Sequence, residues 1–176
     1  MKYQIICVDP PWDYKGQKQH NGKDGDETGG AIKHYPTMKT KDMIKEFKPL
    51  LESWADDDCL LFMWTTYPHL DQAIELGKAW GFNYVHTPFI WDKQATNPGF
   101  YTLTQTEAVL CFKKGRIPKP RGSKKERQIV VSKRTKHSEK PQEVYDRIER
   151  MFPTQNKIEM FARKVRLGWS VWGNEI

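Results

Sequence analysis

Long apolar runs are missing from this 176-residue chain. No stretch approaches the ~20 consecutive apolar residues of a membrane-spanning helix. The N-terminus shows no basic-then-apolar signal pattern, so a cytoplasmic protein is expected. Cysteine is scarce: three residues, each inside a strand-like apolar run (Ile6-Cys7-Val8, Cys59-Leu60-Leu61, Leu110-Cys111-Phe112). No pair has metal-ligand spacing, which argues against a zinc site and predicts buried, reduced thiols. A glycine-rich dinucleotide fingerprint, a cysteine–histidine nucleophile pattern, internal repeats and low-complexity tracts are also missing.

What is present is a globular composition with an uneven charge. Hydrophobic residues make up 38% of the chain, and seven tryptophans and eight phenylalanines argue against disorder. The length suits one domain spanning residues 1–176. Between Lys113 and Lys136 there are eleven Lys or Arg and one acid, Glu126, a net +10; against +7 for the whole chain, the rest sums to −3. A near-neutral body therefore carries one strongly basic segment. Its Lys119, Arg121, Lys124, Lys125, Arg127, Lys133 and Arg134 are candidates for contacts to a nucleic-acid backbone. The alternative is a solvated, solubilising loop.

The hydrophobic pattern alternates short buried strands with amphipathic helices, which predicts a doubly wound α/β sheet. Strands are expected at 3–8, 59–64, 82–91, 107–112, 128–131, 157–162 and 169–173. Helices are expected from Thr40 to Trp54, interrupted at Pro49, then at 68–80 and 141–151. Asp56-Asp57-Asp58 reads as a turn. Residues 13–34 hold five glycines and few large apolar side chains, the composition of a mobile loop that reads as a lid or a substrate-gripping loop. A second polar loop is expected at 92–106, with its turn at Asn97-Pro98-Gly99; it is a candidate for substrate and partner contact. His69 and His86 read as ordinary surface or strand residues.

The chemistry concentrates at Asp9-Pro10-Pro11-Trp12, directly after the first strand. Proline lacks an N–H and fixes φ, so strand pairing stops there. A carboxylate and bare carbonyls are then left at the C-terminal end of a strand, the edge at which open α/β sheets bind ligands. Two acceptors on a stiff backbone can grip both hydrogens of an amino group. The exocyclic amine of adenine is a poor nucleophile because its lone pair is delocalised. Hydrogen bonds from both its hydrogens to Asp9 and the Pro10 carbonyl favour a pyramidal nitrogen with an available lone pair. Trp12 offers a flat wall for an extruded base. This chemistry needs no covalent enzyme nucleophile.

These residues resemble the MT-A family of adenine methyltransferases. Further matches, in order, are Tyr35-Pro36-Thr37-Met38, Leu61-Phe62-Met63-Trp64, His137-Ser138-Glu139-Lys140-Pro141, Glu159-Met160-Phe161-Ala162-Arg163 and Gly168-Trp169 through Gly173-Asn174-Glu175. The resemblance implies a Rossmann-like sheet in circularly permuted order, catalytic strand first and cofactor strands last. It also implies S-adenosyl-L-methionine as cofactor. Asn174 and Glu175 follow the last strand, where ribose hydroxyls favour an acidic or amide side chain. By the resemblance, Arg163 and Asn174 contact the ribose and Glu175 lies near ribose or adenine. Glu159 supports the cofactor pocket, and Asp9 borders it. Lys140 reaches the methionine carboxylate or the target nucleotide, and Tyr35 helps hold the base. His137 and Glu139 are expected as polar contacts at a helix start. Only eight residues precede Asp9, so an acid that family members often place upstream is expected to be absent or replaced.

The expected function is methylation of adenine N6 in nucleic acid, DNA favoured over RNA, with a homodimer or heterodimer allowed. The alternatives are an inactive nucleic-acid-binding partner subunit, disfavoured by the intact tetrad, and methylation of a protein glutamine amide, disfavoured by Asp9 and the basic segment. No metal and no membrane contact are expected.

Overall fold

The computed structural model describes residues 1–13, 37–135 and 139–173. The elements in chain order are β1 (Tyr3–Val8), α1 (Thr40–Trp54), β2 (Ala55–Thr65), a 3-10 turn (Tyr67–His69), α2 (Leu70–Ala79), β3 (Asn83–Pro98), β4 (Leu103–Lys114), β5 (Ile129–Val131), α3 (Gln142–Met151), β6 (Lys157–Met160) and β7 (Ser170–Trp172). Among the described residues the strands form a seven-stranded sheet in the order β5-β3-β4-β2-β1-β6-β7. β1 pairs in parallel with β2 and β6, β6 with β7, and β3 with β5. β4 is antiparallel to both its neighbours. The fold is a Rossmann-like α/β sheet, as the alternating pattern predicts.

Side chains alternate across a strand, so each central strand feeds two cores. On one face Ile6, Val8, Leu61, Met63 and Phe112 meet Met43, Phe47 and Leu51 of α1 and Ala73 and Leu76 of α2. On the other, Ile5, Cys7, Phe62, Trp64 and Val109 meet Val144, Tyr145 and Ile148 of α3. Burial on both faces explains the unbroken apolar run of β2. All three cysteines are free and buried. Burial raises their thiols, to about 12 for Cys59 and Cys111, which keeps them protonated.

Three expectations change. Pro49 does not interrupt α1; Met43, Phe47 and Leu51 lie on one buried face spanning both sides of the proline, and that packing outweighs the missing hydrogen bond. Asp56–Asp58 belong to β2 rather than to a turn. The Asp58 carboxylate accepts the Arg116 N–H at 2.7 Å, and Gly115 turns against Asp57 so closely that a Cβ would lie 2.1 Å from its carbonyl oxygen. The polar stretch 92–106 is mainly strand: β3 and β4 continue as a hairpin, with Asn97 opposite Thr104 and Pro98 opposite Leu103. Its threonines carry β-propensity that outweighs its polarity. Residues 14–36, which include nearly all of the glycine-rich loop, lie outside the described residues, as do 136–138 and 174–176.

Candidate active site

The C-terminal ends of β1, β2, β6 and β7 share one edge, since Val8 lies level with Met63 and Met160, and Met160 with Trp172. Asp9 is the first residue past that edge. Pro10 and Pro11 end the strand as expected, but their carbonyls are not bare. The Trp12 N–H donates to the Pro10 oxygen at 2.8 Å, and the Met38 N–H donates to the Pro11 oxygen at 2.8 Å. A carbonyl oxygen has two lone pairs, so Pro10 retains one acceptor site.

Trp12 is 3% exposed rather than an open wall. Its indole stacks on His69 with centroids 5.5 Å apart, and its Nε1–H donates to the Trp64 carbonyl at 3.3 Å. The ring anchors the turn that presents Asp9. His69, expected as an ordinary surface or strand residue, is instead a turn residue and the buried face of that stack, and burial lowers its pKa. His86 is exposed on β3, as expected.

Lys140, just before α3, reaches across the sheet edge. Its Nζ lies 3.3 Å from Asp9 Oδ1, 3.0 Å from Glu107 Oε2 and 5.3 Å from the centroid of the Trp64 ring. Lys93 of β3 meets the other oxygen of Glu107 at 3.4 Å. The result is a chain of alternating charge, Asp9–Lys140–Glu107–Lys93, laid across β1, β2, β4 and β3. Burial raises the Asp9 pKa; Lys140 and Arg163 oppose this, and Glu107 adds to it. Burial also pushes Glu107 upward, but Lys140 and Lys93 together hold it below its usual range. Glu107 and Lys93 were not singled out from the sequence. The available signal was an acid heading an apolar strand and a lysine two residues past Trp91, on the same side of an extended strand.

The structure therefore gathers Asp9, Lys140 and Arg163 on one edge. Glu159, expected to support the cofactor pocket, is held inside the fold. It is buried, and both its oxygens are occupied, one by the Tyr145 hydroxyl at 2.7 Å and the other by Arg166 Nε at 2.8 Å. Arg166 also lies over the Tyr145 ring at 3.4 Å. The carboxylate is a strut joining β6 to α3. Arg163 follows the tight turn at Phe161, whose φ is +58°. Here Gly173 packs so closely that a Cβ would lie 2.6 Å from the Ala162 oxygen, which brings the ends of β6 and β7 into contact. Glu139 accepts locally from Thr135 at 2.9 Å and, across 25 residues of sequence, from Lys164 at 3.1 Å. Tyr35, His137, Asn174 and Glu175 lie outside the described residues. No cluster of metal-ligating side chains occurs among the described residues, and none of their helices is long and apolar enough to cross a membrane.

The basic segment is not gathered at this edge. β4 runs away from the site, so Lys113 and Lys114 pair with Leu60 and Cys59 at the far end of β2. The chain then lies along the C-terminal end of α3, with the Gly122 N–H on the Met151 carbonyl and the Ser123 N–H on the Arg150 carbonyl. Lys119, Arg121, Lys124 and Lys125 are thereby placed at the end opposite Asp9. Arg127 lies along the flank, its carbonyl held by Arg147. Lys133 and Arg134 return to the Asp9 end, since β5 runs parallel to β3 and the Arg134 N–H bonds the Lys93 carbonyl.

An α/β sheet ending in a carboxylate–proline–proline turn, with Lys140 paired to the carboxylate, is the arrangement that the resemblance to the adenine methyltransferases implies for a Rossmann-like methyltransferase. Comparison with known proteins agrees: the MT-A70 family profile matches residues 3–175. The chain is 46% identical to the Type II methyltransferase M.MunI of Mycoplasma sp, over 99% of this chain and 78% of that protein. It is 28% identical to the N(6)-adenosine-methyltransferase catalytic subunit METTL3 of Homo sapiens and to the METTL3 subunit of Danio rerio, over 99% of this chain and 28% of each relative. The chain belongs to the MT-A70 family.

Proposed function

We propose that this protein transfers a methyl group from S-adenosyl-L-methionine to the N6 amine of adenine in a polynucleotide, with DNA the favoured polymer. The observation that carries the reading is the Asp9 carboxylate, held at the β1 edge by Lys140 beside an acceptor carbonyl on Pro10. The similarity to M.MunI, a Type II methyltransferase, supports DNA over RNA. The similarity to the adenosine methyltransferases supports the N6 amine.

The donor set at the edge fits the cofactor. Lys140 and Arg163 are cations suited to a carboxylate and ribose, and Asp9 is an anion suited to a positively charged sulfonium. When bound, S-adenosylmethionine supplies an electrophilic methyl group. Asp9 and the free lone pair of Pro10 accept the two amine hydrogens and orient the nitrogen lone pair outward. The N–C bond would form as the methyl–sulfur bond breaks to leave a neutral thioether, and the amine would shed a proton to Asp9, the carboxylate that accepts one of its hydrogens in this reading. Its raised pKa suits that role. Lys140 keeps the carboxylate in place, and Glu107 keeps Lys140 in place. In this reading the whole chain acts as one methyltransferase domain, β6 and β7 are the cofactor strands, and Tyr35, Asn174 and Glu175 complete the base and cofactor pockets.

The test uses isotopically labelled S-adenosylmethionine with random-sequence DNA and RNA, single- and double-stranded, followed by nucleoside mass spectrometry. Label on adenine N6, lost in Asp9→Ala, supports the mechanism. Wild-type turnover in Asp9→Ala overturns it.

A further inference from the structure

Beyond the last rung shared with β2, where Thr65 pairs with Ala108, β4 extends five more residues to Leu103, about 17 Å at ~3.4 Å per residue. The β3–β4 hairpin therefore stands out from the same edge that carries Asp9. Residues 94–106 include no Asp, Glu, Lys or Arg. Their side chains are mainly amides, hydroxyls and, at the tip, large apolar groups. Phe100 is 81% exposed, Tyr101 105% and Leu103 66%.

The root of the ribbon is tied by hydrogen bonds. Asp92 accepts hydrogen bonds from Gln94 Nε2 at 2.7 Å and Gln105 Nε2 at 2.8 Å, and Thr104 Oγ1 donates to the Asn97 carbonyl at 3.2 Å. The turn is unusual: Tyr101 has φ +67°, a left-handed conformation that glycine or asparagine normally supplies. A turn that only had to close would use one of those. Here it presents a tyrosine ring fully to solvent. Exposed Lys133 and Arg134 run beside the root, where the Arg134 N–H bonds the Lys93 carbonyl at 3.0 Å.

We propose that residues 94–105 grip the polynucleotide substrate. The uncharged ribbon lies against the bases, Phe100, Tyr101 and Leu103 stack on them, and Lys133 and Arg134 take adjacent phosphates. This deepens the function proposed above and rests on it. The absence of acids removes repulsion from phosphate, and the two cations complement it. Base–aromatic stacking tolerates any sequence, and apolar wedges hold base steps apart. A two-stranded ribbon also fits the major groove of a duplex. A second copy of this chain is the competing occupant of the tip, but the exposed cations Lys133 and Arg134 beside the root complement phosphate.

The experiment measures fluorescence anisotropy of labelled random-sequence 30-mer DNA, single- and double-stranded. It compares wild type, Phe100→Ala/Tyr101→Ala/Leu103→Ala, and the aromatic-retaining Phe100→Trp/Tyr101→Phe. The alanine variant is expected to bind at least tenfold more weakly to one form. Its thermal shift with S-adenosylmethionine should be unchanged, and the aromatic variant should bind within threefold of wild type. Equal DNA binding by wild type and the alanine variant overturns the proposal. So does sedimentation showing a wild-type dimer that the alanine variant loses, which assigns the tip to self-association. Wild type that neither binds nor methylates any polynucleotide overturns the functional reading itself and this inference with it.

Discussion

Lys140 Nζ stands 3.0 Å from Glu107 Oε2, nearer than its 3.3 Å to Asp9 Oδ1. The lysine is therefore shared between a carboxylate proposed for chemistry and one that only positions it. Glu107→Gln should leave Lys93 without a buried counter-charge and release Lys140 from one side. Breaking a buried pair this way costs about 3 kcal/mol, measured as a lower denaturant midpoint. Because the Glu107 pKa is depressed, its stabilising contribution is complete above its ordinary value of 4.5 and is lost as pH falls through the depressed folded value. Wild type and Glu107→Gln should therefore converge in stability on acidification.

Asp9 has the opposite sign. Its folded pKa is raised above 3.8, so the fold favours its protonated form. The associated stability is present below 3.8 and lost as pH rises through the raised value. Asp9→Asn, a neutral isostere, should melt at or above the wild-type temperature at pH 7 while losing at least ~10²–10³-fold in methyl transfer. A strongly lowered melting temperature would show that the ionised form is needed for folding.

The split of the basic segment gives a third prediction. Lys133→Ala/Arg134→Ala should weaken DNA binding and flatten its salt dependence, each lost phosphate contact reducing the slope by about 0.9. Neutralising Lys124, Lys125 and Arg127, two of which lie at the far end, should have the smaller effect. Anisotropy titrations at several salt concentrations check the order.

Trp12 provides a fourth. Trp12→Phe keeps a ring against His69 but removes the Nε1–H bond to Trp64, a change of about 1 kcal/mol. Trp12→Ala leaves a cavity under the turn and should cost about 3–5 kcal/mol. Chemical denaturation of both variants measures the difference.

The strand ending at Asp9, the buried run of β2 and the stripe of α3 were legible because each is a local pattern with one physical reading. The relationship of Glu107 and Lys93 to Lys140 was not, because it depends on register across three strands separated by long stretches of sequence. Polarity made 92–106 look like a loop, although threonine suits a strand as well as a turn. The location of Lys119–Lys125 was hidden for another reason: charge composition reports how basic a segment is, while the direction of β4 decides where it goes.

The hairpin also carries Lys93 and Glu107 at its foot, and Glu107 is in direct contact with Lys140 and through it with Asp9. A ligand on the ribbon and a ligand at the β1 edge are thus joined by one chain of ion pairs. If loading one end alters the Lys140 contacts, thermodynamic reciprocity requires an equal change in affinity at the other. Polynucleotide affinity measured with and without saturating S-adenosylmethionine should then differ by the same factor as cofactor affinity with and without polynucleotide, and identical affinities would show that the two ends act independently.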